Sequence, residues 1–455
     1  MKNIVLLGMP ASGKSTYGKR LARAIGFHFY DTDQEIEKAE GCSIRAIFEK
    51  KGEPVFRKME TRILTEFVQK YAKSASIVLA TGGGIVENPE NVKLLKQIGF
   101  TIFLDRPPKQ ILKNAIMGGK RPLLTDENRL MEIYGRRLPL YRKAANAVVA
   151  NNKGFRKTLE DLVTLVSMRG IATDFAVIGD PIKHSISPKL HQLTFREFGK
   201  DETYSRIRVS TKRLGASLRD FRKGSLKGIN VTIPHKMHII PFLDEIRGDA
   251  IHANAVNTVV KEKNRLIGYN TDMEGLLFAL KRKGFGYSGR NITLLGTGGA
   301  AAGVAHKAAS EGASRLSIVG RNRESGEDLA EACRGNYVPW AEALCPESKL
   351  LSDTDVLINA TPLGMQSFPE QFTDFRFMSR LPDHALACDL VYDPPQSAFL
   401  TAACARGLVI LNGLPMLIYQ GILADELFFD QEADRELLFN KAYAVLQNRK
   451  EDKKS

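Results

Sequence analysis

The sequence predicts an α/β protein in which strands and helices alternate along the chain. Short apolar runs at residues 2–7, 77–80 and 101–104 are typical of buried strands, and helical patterns separate them. A new apolar run starts at 175–178, after a short polar break at 169–174. Such alternation implies parallel sheets whose two faces are covered by helices. A chain of 455 residues is long enough for two to four domains of this kind.

Further patterns divide the chain into three predicted domains. Within the first, a basic helix is expected at 17–25 and a closing amphipathic helix at 153–168. Residues 291–295 form another predicted strand, which runs into glycines and a helix of small residues. The chain leaves this unit near residue 412, and residues 415–447 are expected to be helical. The predicted domains are 1–170, then 174–275 completed by helices at 413–450, and 276–412 between them.

Composition favours a cytoplasmic protein that has no membrane partner. Hydrophobic residues make up 43% of the chain and charged residues 26%, and no apolar run reaches the roughly 18 residues that a membrane span requires. The five cysteines are scattered, and no pair has the spacing of metal ligands. Reduced cysteines are therefore expected.

The positive charge is unevenly distributed. Residues 1–170 contain 30 Lys and Arg residues against 17 Asp and Glu residues, so most of the net charge of +15 lies there. The basic residues are dispersed rather than clustered. This favours a solvated surface that also attracts small anionic substrates, over binding to nucleic acid. Binding to nucleic acid stays open as the alternative for this part of the chain.

The first glycine-rich segment fits a phosphate-binding loop. Residues 8–15 read G-M-P-A-S-G-K-S, which matches G-x-x-x-x-G-K-[ST] between a predicted strand and a predicted helix. Its backbone N–H groups can face phosphate oxygens, while the lysine reaches the β- and γ-phosphates of ATP and the serine offers a hydroxyl to Mg²⁺. The predicted nucleotide-binding residues are Gly8, Ser12, Gly13, Lys14, Ser15 and Thr16.

Five further strings follow the loop in order: D-T-D at 31–33, F-R-K-M-E at 56–60, T-G-G-G at 81–84, R-P-L-L at 121–124 and R-L-P-L-Y at 137–141. Each is weak alone, and each arginine alone would be read as part of a surface ion pair. Together and in this order they resemble shikimate kinase over almost all of residues 1–168. The resemblance implies a P-loop kinase domain that has a parallel sheet.

The resemblance also assigns roles in the first domain. Asp33 is similar to the aspartate that binds the shikimate hydroxyls and accepts the 3-hydroxyl proton. Arg57 and Arg137 resemble two arginines that clamp the substrate carboxylate, which suits planar guanidinium groups. Arg121 resembles the lid arginine that faces the transferred phosphate. The remaining implied residues are Gly82 and Gly83 in the substrate pocket and Asp31 at Mg²⁺.

A second glycine turn indicates a dinucleotide. The strand at 291–295 runs into G-T-G-G at 296–299, although Ala301 stands where a third glycine is usual. The next strand, 316–319, ends in G-R-N-R, where an NAD-binding domain usually has an acidic residue. Two arginines suit a 2′-phosphate and favour NADP(H) over NAD; the alternative is two solvent-facing arginines on a turn. The predicted cofactor-binding residues are Gly296, Gly298, Gly299, Ala300, Arg321, Asn322, Arg323 and Gly413.

Seven ordered strings surround this turn: G-D-P-I-K-H-S-I-S-P at 179–188, G-I-N-V-T-I-P-H-K at 228–236, A-V-N-T at 255–258, G-Y-N-T-D at 268–272, N-A-T-P-L-G at 359–364, D-L-V-Y at 389–392 and N-G-L-P-M-L-I-Y-Q at 412–420. The series resembles shikimate dehydrogenase from residue 174 to about the end of the chain. The resemblance implies a two-domain enzyme that has an α/β substrate domain and a Rossmann NADP-binding domain.

Lys236 and Asp272 resemble the catalytic pair of that family, since a lysine ammonium beside an aspartate can hold and deliver a proton. Which of the two donates the proton stays open, and His184 or His235 is a weaker alternative. The implied substrate-binding residues are Ser185, Ser187 and Tyr392 for the carboxylate, and Thr232, Asn257 and Gln420 for the ring hydroxyls.

The two resemblances converge, because shikimate is the product of one activity and the substrate of the other. We expect a bifunctional enzyme that reduces 3-dehydroshikimate with NADPH and phosphorylates shikimate with ATP and Mg²⁺, as a monomer or homodimer. One alternative is a dehydrogenase half that acts on quinate or shikimate with NAD. The other is a half that has become a catalytically dead scaffold, although the expected catalytic side chains are present.

Overall fold

A computed structural model describes residues 3–72, 76–118, 127–365, 368 and 370–447, without the side chains of 114–118. The chain separates into two compact units, Met1–Ala172 and Thr173–Ser455. Each unit is described by itself.

The first unit is a parallel sheet between two layers of helices. Its described strands are ordered β2-β3-β1-β4-β5, and every pair is parallel. The strands are β1 (Ile4–Leu7), β2 (His28–Asp31), β3 (Ile77–Ala80), β4 (Phe100–Asp105) and β5 (Ala147–Ala150). The helices are α1 (Lys14–Ile25), α2 (Thr32–Glu40), α3 (Ile44–Tyr71), α4 (Pro89–Ile98), α5 (Pro108–Gly118), α6 (Glu127–Ala144) and α7 (Phe155–Met168).

Apolar side chains leave both faces of this sheet. On one face, residues of β1 and β3 pack with α3, α4 and α6. On the other, they pack with α1 and α7. Burial on both sides explains why β1 and β3 are continuous apolar runs rather than alternating ones. The predicted strand at 77–80 is confirmed, whereas the helix expected at 17–25 already begins at Lys14.

The second unit begins with a mixed sheet, ordered β7-β6-β8-β10-β11-β9 in the described residues. β8 and β11 pair with β10 in antiparallel fashion, and the remaining pairs are parallel. The strands are β6 (Phe175–Gly179), β7 (Tyr204–Arg208), β8 (Gly228–Val231), β9 (Glu245–Ile246), β10 (Thr258–Glu262) and β11 (Arg265–Tyr269). The helices are α8 (Ser187–Glu197), α9 (Leu214–Lys223), α10 (His235–His238), α11 (Asp249–Ala253) and α12 (Asp272–Arg282).

A fully parallel sheet follows, ordered β14-β13-β12-β15-β16-β17. This 3-2-1-4-5-6 arrangement is the strand order of a Rossmann fold. The strands are β12 (Asn291–Leu295), β13 (Arg315–Gly320), β14 (Asn336–Pro339), β15 (Val356–Asn359), β16 (Leu386–Asp389) and β17 (Val409–Leu411). The helices are α13 (Gly299–Ser310), α14 (Arg323–Ala332), α15 (Trp340–Ala343) and α16 (Ala398–Ala405).

The chain then returns to the first half of this unit through α17 (Gly413–Phe429) and α18 (Arg435–Leu446). Both helices pack against α8, and α17 also packs along α12. The segment expected to be helical at 415–447 is therefore two helices, because α17 ends at Phe429 and the next residue, Asp430, has a left-handed backbone with φ of 49°. The domain limit expected at residue 275 falls inside α12.

The predicted α/β class, with a P-loop-type sheet followed by a two-domain dehydrogenase fold, is confirmed. Among the described helices, none combines the length and the apolar character that a membrane span would need.

Candidate active sites

The glycine loop between β1 and α1 folds around the ammonium group of Lys14. The buried Lys14 Nζ donates hydrogen bonds to Gly8 O at 2.8 Å and Met9 O at 2.9 Å. Gly13 has φ of 93°, a left-handed conformation that glycine adopts without strain. Ser12 Oγ is buried and has no partner in the described part of the chain. A cationic loop holding an unused hydroxyl at a helix N-terminus fits the phosphates of ATP.

A hydroxyl and a carboxylate meet beside this loop. Ser15 Oγ donates to Asp31 Oδ2 at 2.5 Å, and Asp31 Oδ1 caps α2 by accepting from Asp33 N at 3.0 Å. The cap therefore orients the carboxylate toward Ser15. Oxygen donors of these two types suit Mg²⁺, which proteins usually bind through one or two side chains together with nucleotide phosphates.

Asn151 holds the loop to β5, the edge strand of the sheet. Its Nδ2 donates to Ser12 O at 2.7 Å, and its Oδ1 accepts from Tyr17 OH at 2.8 Å. Asn151 directly follows β5, and the carboxyl ends of parallel strands are where ligands bind in open α/β sheets. That position was the available signal. Thr16 is exposed on α1.

The glycine run after β3 brings the expected substrate residues together. A Cβ atom on Gly82 would lie 2.7 Å from Glu60 Oε1 and 2.9 Å from Asp33 Oδ1. On Gly83 it would meet the Pro10 ring of the phosphate-binding loop at 2.5 Å. The expected substrate residues and the phosphate-binding loop therefore adjoin at these two glycines.

Gly84, which the sequence left unassigned, also has no room for a side chain. Its Cβ would lie 2.3 Å from Arg57 Nη2, so this guanidinium packs directly on the backbone.

Glu60 is a further residue without an assigned role. Its side chain is fully buried, and its Oε2 accepts from Arg57 Nη1 at 2.7 Å. Burial raises the pKa of Glu60, although the charge of Arg57 opposes that rise. Glu60 stands three positions after Arg57 on α3, and this helical spacing was the only sign of the pair. Glu60 therefore holds the guanidinium of Arg57, which packs on Gly84.

Arg137 reaches the same pocket from α6. Its Nη2 donates to Glu87 Oε2 at 2.7 Å, and the side chain is almost completely buried. One turn later, Tyr141 OH donates to Gly83 O, which attaches α6 to the glycine run. Of the expected kinase residues, Arg121 lies outside the described part of the chain.

In the second unit, Lys236 and Asp272 form an ion pair. Lys236 Nζ lies 2.6 Å from Asp272 Oδ2, and both side chains are only partly exposed. Lys236 lies on α10, beyond the end of β8, while Asp272 begins α12 and donates its backbone N–H to Asn270 Oδ1 at 3.0 Å. Helix ends thus place both charges at one edge of the mixed sheet.

Three polar side chains form a buried cluster beside this pair. Asn257 Nδ2 donates to Thr271 Oγ1 at 2.9 Å and to Gln420 Oε1 at 3.2 Å. Asn257 Oδ1 accepts from Thr271 N at 2.9 Å, and this backbone donor determines which way the amide points. Lys236 O accepts from Val256 N at 2.8 Å, so the lysine and Asn257 are held close together.

A close helix crossing brings Gln420 into that cluster. A Cβ atom on Gly275 of α12 would lie 2.8 Å from Gln420 N and 2.9 Å from Met416 O of α17. Only glycine allows the two helices this approach.

The other expected substrate residues lie on different elements of the same unit. Thr232 follows β8 and donates its N–H to Ile178 O at 3.0 Å. Ser185 Oγ donates to Ser187 Oγ at 3.2 Å at the start of α8, where hydroxyls and a helix N-terminus suit an anion. Tyr392 is half-buried and packs against the core of the unit.

His235 is buried, and its Nε2 lies 2.6 Å from Val209 O. It therefore bonds to the backbone inside the domain rather than standing at the ion pair, which leaves it without a role as general acid.

The turn after β12 leaves room for a pyrophosphate. Gly296 has φ of 118°, and its Cβ would come within 3.2 Å of Thr361. Cβ atoms on Gly298 and Gly299 would meet nothing within 4 Å, so the backbone at the start of α13 is open to a ligand. Ala300 is exposed on the same turn. Gly413 instead packs on the backbone, where a Cβ would lie 2.1 Å from Leu390 O.

Arg321, Asn322 and Arg323 follow β13 as expected. Arg321 Nη1 lies 2.7 Å from Glu370 Oε2, and Arg323 Nε lies 2.8 Å from Glu327 Oε1; these are exposed ion pairs. Asn322 caps α14 by accepting from Ser325 N at 3.0 Å. The two guanidinium groups are accessible and weakly held, which suits exchange of their partners for a 2′-phosphate.

Asp389 supports the turn at residues 359–364, which follows β15. Asn359 Nδ2 donates to Asp389 Oδ1 and to Leu363 O, each at 3.0 Å, and Ser397 Oγ donates to Asp389 Oδ2. Burial raises the pKa of Asp389 to about 6, despite the hydrogen bonds that oppose the rise. A carboxyl group that no motif had linked to this turn therefore holds it in place.

Comparison with known families agrees with this geometry. The family model described as shikimate kinase matches residues 10–166. The model of the shikimate dehydrogenase substrate binding domain matches residues 177–259, and that of shikimate / quinate 5-dehydrogenase matches residues 279–366.

Individual proteins give the same assignment for the second unit. The shikimate dehydrogenase (NADP(+)) of Desulforamulus reducens is 37% identical over 271 residues, which are 58% of this chain and 92% of that protein. A solved shikimate 5-dehydrogenase from Thermus thermophilus, in complex with NADP(H) and shikimate, is 32% identical with a TM-score of 0.53 and covers 60% of this chain and 99% of its own. A chorismate mutase/shikimate 5-dehydrogenase fusion from Clostridium acetobutylicum is 29% identical with a TM-score of 0.52, over 60% of this chain and 96% of its own.

The folds and sites define an ATP-dependent kinase followed by an NADP-dependent oxidoreductase on one chain. The chain belongs to the shikimate dehydrogenase family and carries a shikimate kinase domain in front of it. It is a bifunctional enzyme of the shikimate pathway.

The raised pKa of Asp389 predicts a pH-dependent stability. The folded protein binds this proton more tightly than the unfolded chain, whose aspartates titrate near ~3.9, so the stabilisation is complete below about pH 4 and is lost as the pH rises through about 6. We expect Asp389 to remove about 1–2 kcal/mol from the free energy of unfolding between pH 5 and pH 8.

Asp389→Asn should remove this part of the pH dependence, measured by urea unfolding of the dehydrogenase transition in the full chain. The control is Asp383→Asn, which alters a carboxylate that is exposed and paired with Arg406. If the free energy of unfolding changed with pH equally in Asp389→Asn and wild type, the prediction would be contradicted.

Proposed function

We propose that the two sites perform consecutive reactions: reduction of 3-dehydroshikimate to shikimate, and phosphorylation of shikimate at its 3-hydroxyl. The observation that supports this most directly is the Lys236–Asp272 ion pair beside the buried cluster of Asn257 and Gln420. It joins a proton-holding pair to hydrogen-bonding groups that match a polyhydroxylated ring.

In the reductase, NADPH supplies the hydride when it is bound. Lys236 and Asp272 hold a proton 2.6 Å from each other and deliver it to the C3 oxygen as that oxygen gains charge. Either residue can be the final donor. Thr232, Asn257 and Gln420 orient the ring, while Ser185, Ser187 and Tyr392 bind the carboxylate.

The ring-binding groups also give selectivity. Asn257 is buried, and its amide orientation is set by Thr271. A ligand that carries the matching hydroxyls gains hydrogen bonds to these oriented groups, and a ligand that lacks them gains none. This favours 3-dehydroshikimate over simpler cyclic ketones.

In the kinase, Asp33 accepts the proton of the 3-hydroxyl group, and Arg57 and Arg137 hold the substrate carboxylate. Lys14 and Arg121 face the transferred phosphate, where positive charge stabilises the transition state. Ser15 and Asp31 would hold Mg²⁺ together with the phosphates. The pocket is completed by Gly82 and Gly83.

The proposed cofactor-binding residues lie beyond the carboxyl ends of strands in the two parallel sheets. Arg321, Asn322 and Arg323 would bind the 2′-phosphate of NADPH, and the turn at 296–300 its pyrophosphate. Gly8, Ser12, Gly13 and Thr16 would contact ATP. Gly413 would act at the cofactor by keeping the backbone at Leu390 in place.

We also propose the remaining expectations as they stand: three domains at 1–170, 174–275 with 413–450, and 276–412; a cytoplasmic location; a monomer or homodimer; and no nucleic-acid partner. The dispersed basic residues of the first unit support attraction of anionic substrates rather than of a polyanion.

The most direct test supplies 3-dehydroshikimate, NADPH, ATP and Mg²⁺ to the purified full chain. We expect shikimate 3-phosphate, shikimate alone when ATP is omitted, and no product when NADPH is omitted. Oxidation of quinate with NAD at a higher kcat/KM than shikimate with NADP would support the alternative dehydrogenase. Loss of one step only, with all cosubstrates present, would identify that half as a scaffold.

Lys236→Ala should lower kcat for reduction by at least about 10²-fold, because it removes the proton-holding ammonium group. Phosphorylation of supplied shikimate by the same preparation is the internal control and should be unchanged. An equal loss of both activities in folded protein would mean that the two sites are not independent.

Asp33→Asn should lower kcat for phosphorylation by about 10²- to 10⁴-fold, since the amide cannot accept the hydroxyl proton. The reductase activity of this variant serves as the control. Wild-type kinase turnover in Asp33→Asn would remove Asp33 from the mechanism.

A further inference from the structure

One carboxylate of the first unit contacts both arginines of the proposed clamp. Glu87 ends the 3₁₀ turn that follows the glycine run, and its Oε2 accepts from Arg137 Nη2 at 2.7 Å. The same oxygen lies 3.8 Å from Arg57 Nη2. A protein carboxylate thus stands where the substrate carboxylate is expected to bind.

The contact between Glu87 and Arg137 is incomplete. Arg137 Nε is buried and has no partner among the described residues, although Nε and Nη2 form one edge of the guanidinium that a carboxylate can bind with both oxygens. Glu87 uses only Nη2, because its other oxygen, Oε1, lies 2.8 Å from Arg136 Nη2. Nε therefore remains available beside Nη2, and we infer that the carboxylate of a ligand binds both of these donors.

The surrounding charges allow Glu87 to leave. Arg57 has two other carboxylate partners at 2.7 Å, Glu60 and Glu53, which hold it without Glu87. Arg136 is mostly exposed and already binds Glu87, so it offers that carboxylate a position outside the clamp. Exchange of one carboxylate for another therefore leaves no buried charge unpaired.

Glu87 is also an anion under working conditions. Burial acts to raise the pKa of Glu87, but the hydrogen bond from Arg137 and the charges of Arg136 and Arg57 outweigh it and hold the pKa below its usual value. The carboxylate therefore competes with an anionic ligand throughout the neutral range.

We propose that Glu87 sets the affinity of the kinase for its substrate: it takes the place of the substrate carboxylate in the free enzyme and moves onto Arg136 when shikimate binds. The inference rests on the proposed function of Arg57 and Arg137 as the carboxylate clamp. To bind Arg137 more strongly than Glu87 does, a ligand carboxylate must contact the guanidinium with two oxygens, because Glu87 makes a single hydrogen bond to it.

Glu87→Gln keeps the shape of the side chain and removes its charge. In the full chain, we expect KM for shikimate in the kinase assay to fall by about three- to tenfold, because the glutamine amide keeps a neutral hydrogen bond to Arg137 and loses only the part that the charge of Glu87 adds. The neutral amide of shikimate should not bind better to this variant than to wild type, since it has no carboxylate to occupy the released arginine. Glu90→Gln removes the same charge three residues further on, and its KM should equal that of wild type.

Arg137→Met separates the two levels of the proposal. If it does not raise KM for shikimate, the clamp is wrong and the role of Glu87 is wrong with it. If Arg137→Met raises KM but Glu87→Gln leaves KM unchanged or raises it, the clamp stands and displacement is wrong, because Glu87 then only orients Arg137. Absence of wild-type phosphorylation would instead overturn the proposed kinase function.

Discussion

Both catalytic regions depend on a glycine whose backbone lies so close to neighbouring groups that a side chain would displace them. Gly82 lies against the carboxylates of Asp33 and Glu60, and a methyl group there would overlap both. Gly275 lies against the backbone of α17 and so brings Gln420 to Asn257. In each case the glycine is needed for contact rather than for an unusual backbone angle. A larger residue at either position would therefore require these neighbouring groups to shift.

A second constraint is that the site cations are already paired in the folded chain. Lys14 binds the carbonyl groups of its own loop, Lys236 binds Asp272, and Arg137 binds Glu87. Isolated charges would be costly in these partly buried places, so the fold supplies a temporary or permanent partner for each. Ligand binding is then an exchange of partners, and affinity reflects the difference between two contacts rather than the strength of one.

Sequence reasoning was most successful where function is local in the chain. The phosphate-binding loop, the cofactor turn and the buried parallel strands are continuous segments, so their patterns survive without knowledge of the fold. The contacts of Asn151 with Ser12 and of Glu87 with Arg137 could not be predicted, because these partners lie 139 and 50 positions apart and only the folded chain brings them together. Asp389 was quoted within a string, yet its burial and raised pKa arise from packing that spacing cannot reveal.

The two proposed sites for the substrate carboxylate differ in the kind of group that binds it. In the proposed function, the dehydrogenase binds the carboxylate through hydroxyls, Ser185 and Ser187, at the N-terminus of α8, where neutral dipoles need no counter-charge. The kinase offers guanidinium groups, which require carboxylates such as Glu60 and Glu87 to be stable when empty. The excess of basic residues in the first third of the chain fits the proposed clamp, which binds its ligand through full positive charges. A carboxylate placed beside such a clamp serves as both counter-ion and competitor, so stability of the empty site and affinity for the ligand are opposed in the kinase and independent in the dehydrogenase.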